Sequence, residues 1–128
     1  MRRPLASLLL ATALLGACGD DEKAGRTVTL PAGAELRVVG DEYSFDPQNV
    51  VYRAGGGAAR IKISLDNRGS LAHNVKVFDG ESELGGTPTF PGGREEVGAV
   101  ELEPGRYRLV CTVGNHEELG MTGSLEVR

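Results

Sequence analysis

The sequence predicts an all-β domain, a Greek-key antiparallel β-sandwich or barrel of seven or eight strands, and three observations carry that expectation. Short apolar segments alternate strictly, as where Ile61, Ile63 and Leu65 face one way and Lys62, Ser64 and Asp66 the other. A period of two belongs to a strand with one buried face. Glycine and proline clusters at 55–57, 85–86 and 91–93 separate these segments, and they mark turns. No convincing long helix interrupts the series, which favours a sheet-on-sheet architecture. A length of 128 residues suits one compact domain.

Taken in order, the chain opens on a segment that is not read as part of the fold. "MRRPLASLLLATALLGAC" has two arginines and then an apolar run from Leu5 to Leu15. That run falls short of the roughly 20 apolar residues that span a bilayer and has the layout of a secretory signal. The "LGAC" ending at Cys18 resembles the bacterial lipobox, whose cysteine is lipidated and becomes the new N-terminus. The expected organisation is a signal peptide over 1–17, the lipidated Cys18 and a flexible tether over 18–34, and the folded domain over 35–128. An ordinary signal peptide with a chance cysteine is the alternative.

Within the domain, "ELRVVG" and "NVVYRA" are short apolar strands with β-branched residues. "AARIKISLDN" is the alternating strand already noted, and "HNVKVF" sets Val75 and Val77 against Asn74 and Lys76. "REEVGAVELEPG" ends in a proline–glycine turn, "RYRLVC" follows at once, and "TGSLEVR" closes the chain. Six aromatic residues and no tryptophan leave the core to valine, leucine and isoleucine. "HEELGM" has room for one helical turn at most.

Charge removes one class of partner. Cleavage after residue 17 would take away Arg2 and Arg3, leaving 12 cationic side chains against 18 acidic ones and a formal charge of −6. No basic cluster remains to follow a phosphate backbone, so nucleic acid is not an expected partner.

The chemistry is concentrated in "CTVGNHEELGM", residues 111–121. The mature domain would have one free cysteine, two histidines and one methionine. Cys111, His116 and Met121 all lie in this stretch, and His73 opens "HNVKVF". Cys111 ends one strand and Met121 begins the next, so the loop between them can bring its first, middle and last side chains to one point. His73 can approach from a neighbouring strand at the same end. A lone thiol in an exported protein is an oxidation hazard unless it is buried, paired with another chain or held by a metal. Zinc sites make little use of methionine, and calcium and magnesium prefer oxygen. Two histidines and a cysteine with a weak axial methionine form the blue-copper set. Singly, each residue has a plainer reading: a buried small hydrophobe, core filler, or a satisfied histidine. A catalytic Cys–His pair would explain neither His73 nor Met121, so an enzyme is not expected.

These residues also carry a resemblance. "CTVGNHEELGMTGSLEV" resembles the C-terminal ligand loop and last strand of the cupredoxins, the plastocyanin and azurin superfamily. "NRGSLAHNVKV" is similar to the segment bearing their first histidine, "PGRYRLVC" to the strand leading into their cysteine, and "DEYSFDPQNVV" to their opening strands. The resemblance covers about residues 35–128. It implies one type 1 copper ion, with His73, Cys111 and His116 as equatorial ligands and Met121 as the axial one. It further implies that Asn74 hydrogen-bonds to the ligand loop, that His116 lies near the surface and that His73 sits deeper. The implied function is one-electron transfer by a monomer tethered through Cys18 to the cell envelope, facing the periplasm or cell exterior. A basic or membrane-bound redox partner protein is expected. Copper delivery or storage, and a metal-free cupredoxin-like binding module, are the alternatives. Glu117 and Glu118 beside His116 depart from the small or apolar surroundings usual in the family. They read as a solvated turn or, alternatively, as charges that steer a basic partner.

Overall fold

The computed structural model describes residues 25–128, so the expected signal peptide and Cys18 lie outside the described residues. Ten strands follow one another: β1 (Thr27–Pro31), β2 (Leu36–Asp41), β3 (Ser44–Asp46), β4 (Asn49–Arg53), β5 (Ala59–Asn67), β6 (Lys76–Asp79), β7 (Ser82–Gly86), β8 (Arg94–Leu102), β9 (Gly105–Val110) and β10 (Thr122–Val127). There is no helix among the described residues. The strands form one continuous sheet in the order β1-β4-β10-β9-β6-β7-β8-β5-β2-β3. It curls so that β3 lies near β10 and its inner faces meet in a single apolar core.

The all-β expectation holds, with two corrections. Among the described residues the count is ten rather than seven or eight, because β1, β3 and β7 carry weak sequence signals. β3 has three residues, too few to show a period. β7, "SELGG", is exposed over most of its length and ends in two glycines. The sheet is also mixed rather than antiparallel, since β1 and β10 both run parallel to β4, and β2 runs parallel to β5. Alternation reports which face of a strand is buried and is silent about strand direction.

β1 corrects the extent of the expected tether. Residues 27–31, placed in the flexible stretch 18–34, pair with β4 along their whole length. Val28 and Leu30 pack against the core, while Thr27, Thr29 and Pro31 are exposed. Pro31 is tolerated because β1 is an edge strand.

The core is aliphatic, as the composition implies. Ile61, Ile63 and Leu65 of β5 are fully buried, each worth about 1.5–3 kcal/mol relative to exposure. Tyr52 is the largest fully buried side chain. Its hydroxyl accepts from Gly33 N–H at 2.8 Å and donates to the Ala34 carbonyl at 3.3 Å, which satisfies a buried phenol and ties the β1–β2 turn to β4. At its end, β7 runs close under the segment that leads into β6. Gly86 has φ 137°, and a Cβ there would stand 2.1 Å from the Val75 carbonyl oxygen, so no side chain fits. That approach lets Thr87 bond Val75 through both its N–H and its hydroxyl, at 2.9 and 3.0 Å.

Candidate metal centre

Two segments build the site. The first runs from His73 into β6. His73 and Phe90 exchange backbone hydrogen bonds of 3.1 Å, so His73 is pinned just before its strand begins. The second is the loop between β9 and β10, which pair as an antiparallel ladder ending at Thr122↔Val110. Cys111 follows β9 directly and Met121 precedes β10 directly. The Cys111 N–H donates to the Met121 carbonyl at 3.1 Å, and the Met121 N–H donates to the His116 carbonyl at 3.0 Å. The three loop residues of interest are thereby joined through their backbones. Between them the chain makes tight turns, with Leu119 N–H on the Asn115 carbonyl and Gly120 N–H on the Glu117 carbonyl.

Three side chains meet. His73 Nδ1 and His116 Nδ1 are 3.2 Å apart, and Cys111 Sγ lies 3.8 Å from the first and 3.5 Å from the second. The point equidistant from these three atoms is about 2.0 Å from each, the length of a metal–imidazole bond and somewhat short of ~2.3 Å for a metal–thiolate bond. The cluster is internal: His73 is 0 % exposed, Cys111 1 % and His116 7 %. Met121 is fully buried in the same core cluster as Cys111. Among the described residues Cys111 is the free cysteine, and it is buried. The donors are therefore two imidazoles and a thiol whose ligand atoms converge, with a thioether closing the same loop. That set fits a thiophilic transition ion better than a hard, oxygen-seeking one.

Neighbouring residues fix the donors. Asn74 is 1 % exposed. Its Oδ1 accepts the Thr112 N–H at 2.9 Å, and its Nδ2 donates to the hydroxyls of Thr112 and Thr89, both at 2.8 Å. The segments that carry His73 and Cys111 are thus bolted together one residue from each.

Two further residues, both in the β2–β3 turn, escaped the sequence reading. Glu42 Oε1 lies 3.1 Å from His73 Nε2, and the Tyr43 ring packs on the His116 ring with centroids 4.9 Å apart. Their signal was an acidic–aromatic pair inside "DEYSFD", which carries no ligand spacing of its own. Of the two acidic residues beside His116, Glu117 pairs with Arg108. Its charge is offset, which weakens the steering alternative and favours the solvated turn.

No protein-family model matches the chain, and no curated protein matches it at a significant level. Solved structures do. Auracyanin from the photosynthetic bacterium Roseiflexus castenholzii, in its dithionite-reduced form, is 17% identical over 76% of this chain and 98% of its own, with a TM-score of 0.64. An azurin from the methylotroph Methylomonas sp. strain J is 14% identical over 76% and 99%, with a TM-score of 0.65. Auracyanin A from Chloroflexus aurantiacus, described as a "blue" copper protein, is 19% identical over 77% and 99%, with a TM-score of 0.57. The fold is that of auracyanin and azurin, the cupredoxin fold.

Proposed function

We propose that the chain is a blue copper protein that carries single electrons in the bacterial cell envelope, with His73, Cys111, His116 and Met121 as ligands to one type 1 copper ion. The observation that carries this reading is the convergence of two imidazole Nδ1 atoms and a thiol at bonding distance from a common point. The fold shared with a blue copper protein supports it. Bound copper would supply a one-electron couple between Cu(II) and Cu(I).

The chain's own residues do the rest. The Cys111–Met121 and Met121–His116 backbone bonds and the Asn74 bridge hold the donors in one arrangement, which limits rearrangement when the charge changes. Burial keeps water away from the thiolate. His116 is the more exposed of the two histidines, which makes its ring the shorter way in and out for an electron.

The lipobox-like "LGAC" supports an acyl anchor at Cys18, by which a monomer would work beside membrane-bound redox partners. Acyl chains at that position give stable attachment.

Visible and EPR spectra of the copper-loaded protein test the central claim. The expected result is an intense blue absorption that ascorbate bleaches reversibly and that Cys111→Ser abolishes. A colourless protein retaining only Cu(I) would replace electron transfer by copper delivery or storage. Lipidation is checked separately by incorporation of labelled fatty acid, which Cys18→Ala should eliminate.

A further inference from the structure

The buried histidine is held from both sides. Its Nδ1 faces Cys111 and His116, and its Nε2 faces the Glu42 carboxylate at 3.1 Å. The same carboxylate oxygen accepts the Leu71 N–H at 2.8 Å. Gly69 lies beside the same group: a Cβ there would stand 2.4 Å from Glu42 Oε1 and displace the carboxylate from its present position. Glu42 Oε1 already accepts from a backbone N–H and lies within hydrogen-bond reach of Nε2, so it is placed as an acceptor for a second N–H. Nε2 of His73 must therefore carry the proton, and Nδ1 must present its lone pair to the other two donors.

We propose that Glu42 is a positioning residue of the centre: it locks His73 in the Nε2–H tautomer, and its negative charge behind the ring lowers the reduction potential of the bound copper. The second half rests on the copper reading above. A carboxylate on the far side of a ligating imidazole fixes ring orientation and raises ligand basicity. A fixed negative charge also favours the more positive oxidation state. The Glu42 side chain is 25 % exposed, so solvent weakens the effect without removing it.

The test uses the full chain and three variants. In the metal-free protein, nitrogen NMR should find His73 as the Nε2–H tautomer in wild type and in Glu42→Gln, whose amide oxygen still accepts. Glu42→Ala should mix the tautomers. A wild-type Nδ1–H tautomer, or a Glu42→Ala spectrum identical to wild type, overturns the first half. In the copper-loaded protein, Glu42→Gln should shift the Cu(II)-to-Cu(I) affinity ratio roughly tenfold toward Cu(I), an upward potential shift of about 59 mV for one electron. Glu101→Gln, which breaks an exposed ion pair with Arg60, should shift it little. An unchanged potential in Glu42→Gln, or equal shifts in both variants, overturns the second half. A wild type that takes up no copper overturns the second half together with the copper reading, while the tautomer result stands or falls alone.

Discussion

Asn74 and Thr112 exchange two hydrogen bonds, of 2.9 and 2.8 Å, between the segment that carries His73 and the loop that carries the other three proposed ligands. The residues are 38 apart in sequence, and the amide that joins them is buried. Asn74→Ala removes these bonds and the one to Thr89 together. A net value of about 1 kcal/mol per bond, reduced where Thr112 regains water, suggests a loss of about 2 kcal/mol. Urea unfolding of the metal-free protein measures it directly. A loss within error of zero would mean that the bridge only decorates a loop already fixed by its own backbone bonds.

Gly40 tests the packing beneath the site. It is buried in β2, and a Cβ there would lie 2.9 Å from Leu65 Cδ1 and 3.3 Å from Met121 Cε. Both atoms end flexible side chains, yet both side chains are fully buried and have little room to retreat. Gly40→Ala should therefore cost about 1–2 kcal/mol by overpacking, read from the thermal midpoint. The copper-loaded variant should also change colour slightly, because the added methyl pushes on the thioether. A destabilised variant with an unaltered spectrum would place the strain on Leu65 instead.

The candidate ligands stood out because scarcity made them so: one cysteine, one methionine and two histidines fell in two short stretches of the expected domain. Asn74 entered with the family resemblance, since it lies next to His73. Glu42 and Tyr43 were not legible. They reach the histidines through the curl of the sheet, from a turn 31 residues before His73, and no periodicity encodes that approach. The fold divided in the same way. β5 announced itself by alternation, whereas β1 lay hidden because "TVTLP" is short, ends in proline and follows a polar stretch. The parallel neighbours of β4 were equally invisible, because pairing partners are set by long-range topology rather than by local pattern.

Acid sensitivity follows from two surface carboxylates. Ser64 and Lys62 hold Glu35, and Arg128 holds Glu126, below the ordinary value of 4.5. In the folded state these groups bind protons less readily than in the unfolded chain. Their contribution to stability is therefore complete above about pH 4.5 and disappears as pH falls through their lower folded values. Both are exposed enough for water to blunt the effect, so the expected change is modest. Unfolding measured at pH 6 and pH 3 should show a smaller difference in the Glu35→Gln/Glu126→Gln double variant than in wild type. Parallel pH profiles would assign acid sensitivity to other groups.

Metal loading should stabilise this fold substantially. Two buried imidazole nitrogens stand 3.2 Å apart with a thiol beside them, and at most one proton can bridge the nitrogens. An ion satisfies all three donors at once. The donors assemble only in the folded chain, so binding adds to folding stability as ligand concentration exceeds the dissociation constant, by about 4 kcal/mol at a thousandfold excess. For a domain of this size that corresponds to a rise in thermal midpoint of the order of 15 °C or more. Cu(II) should produce that rise in wild type, a strong chelator should reverse it, and Cys111→Ser should lose most of it. An equal rise in wild type and Cys111→Ser would show copper binding at the surface, for instance at exposed carboxylates, rather than at the buried cluster.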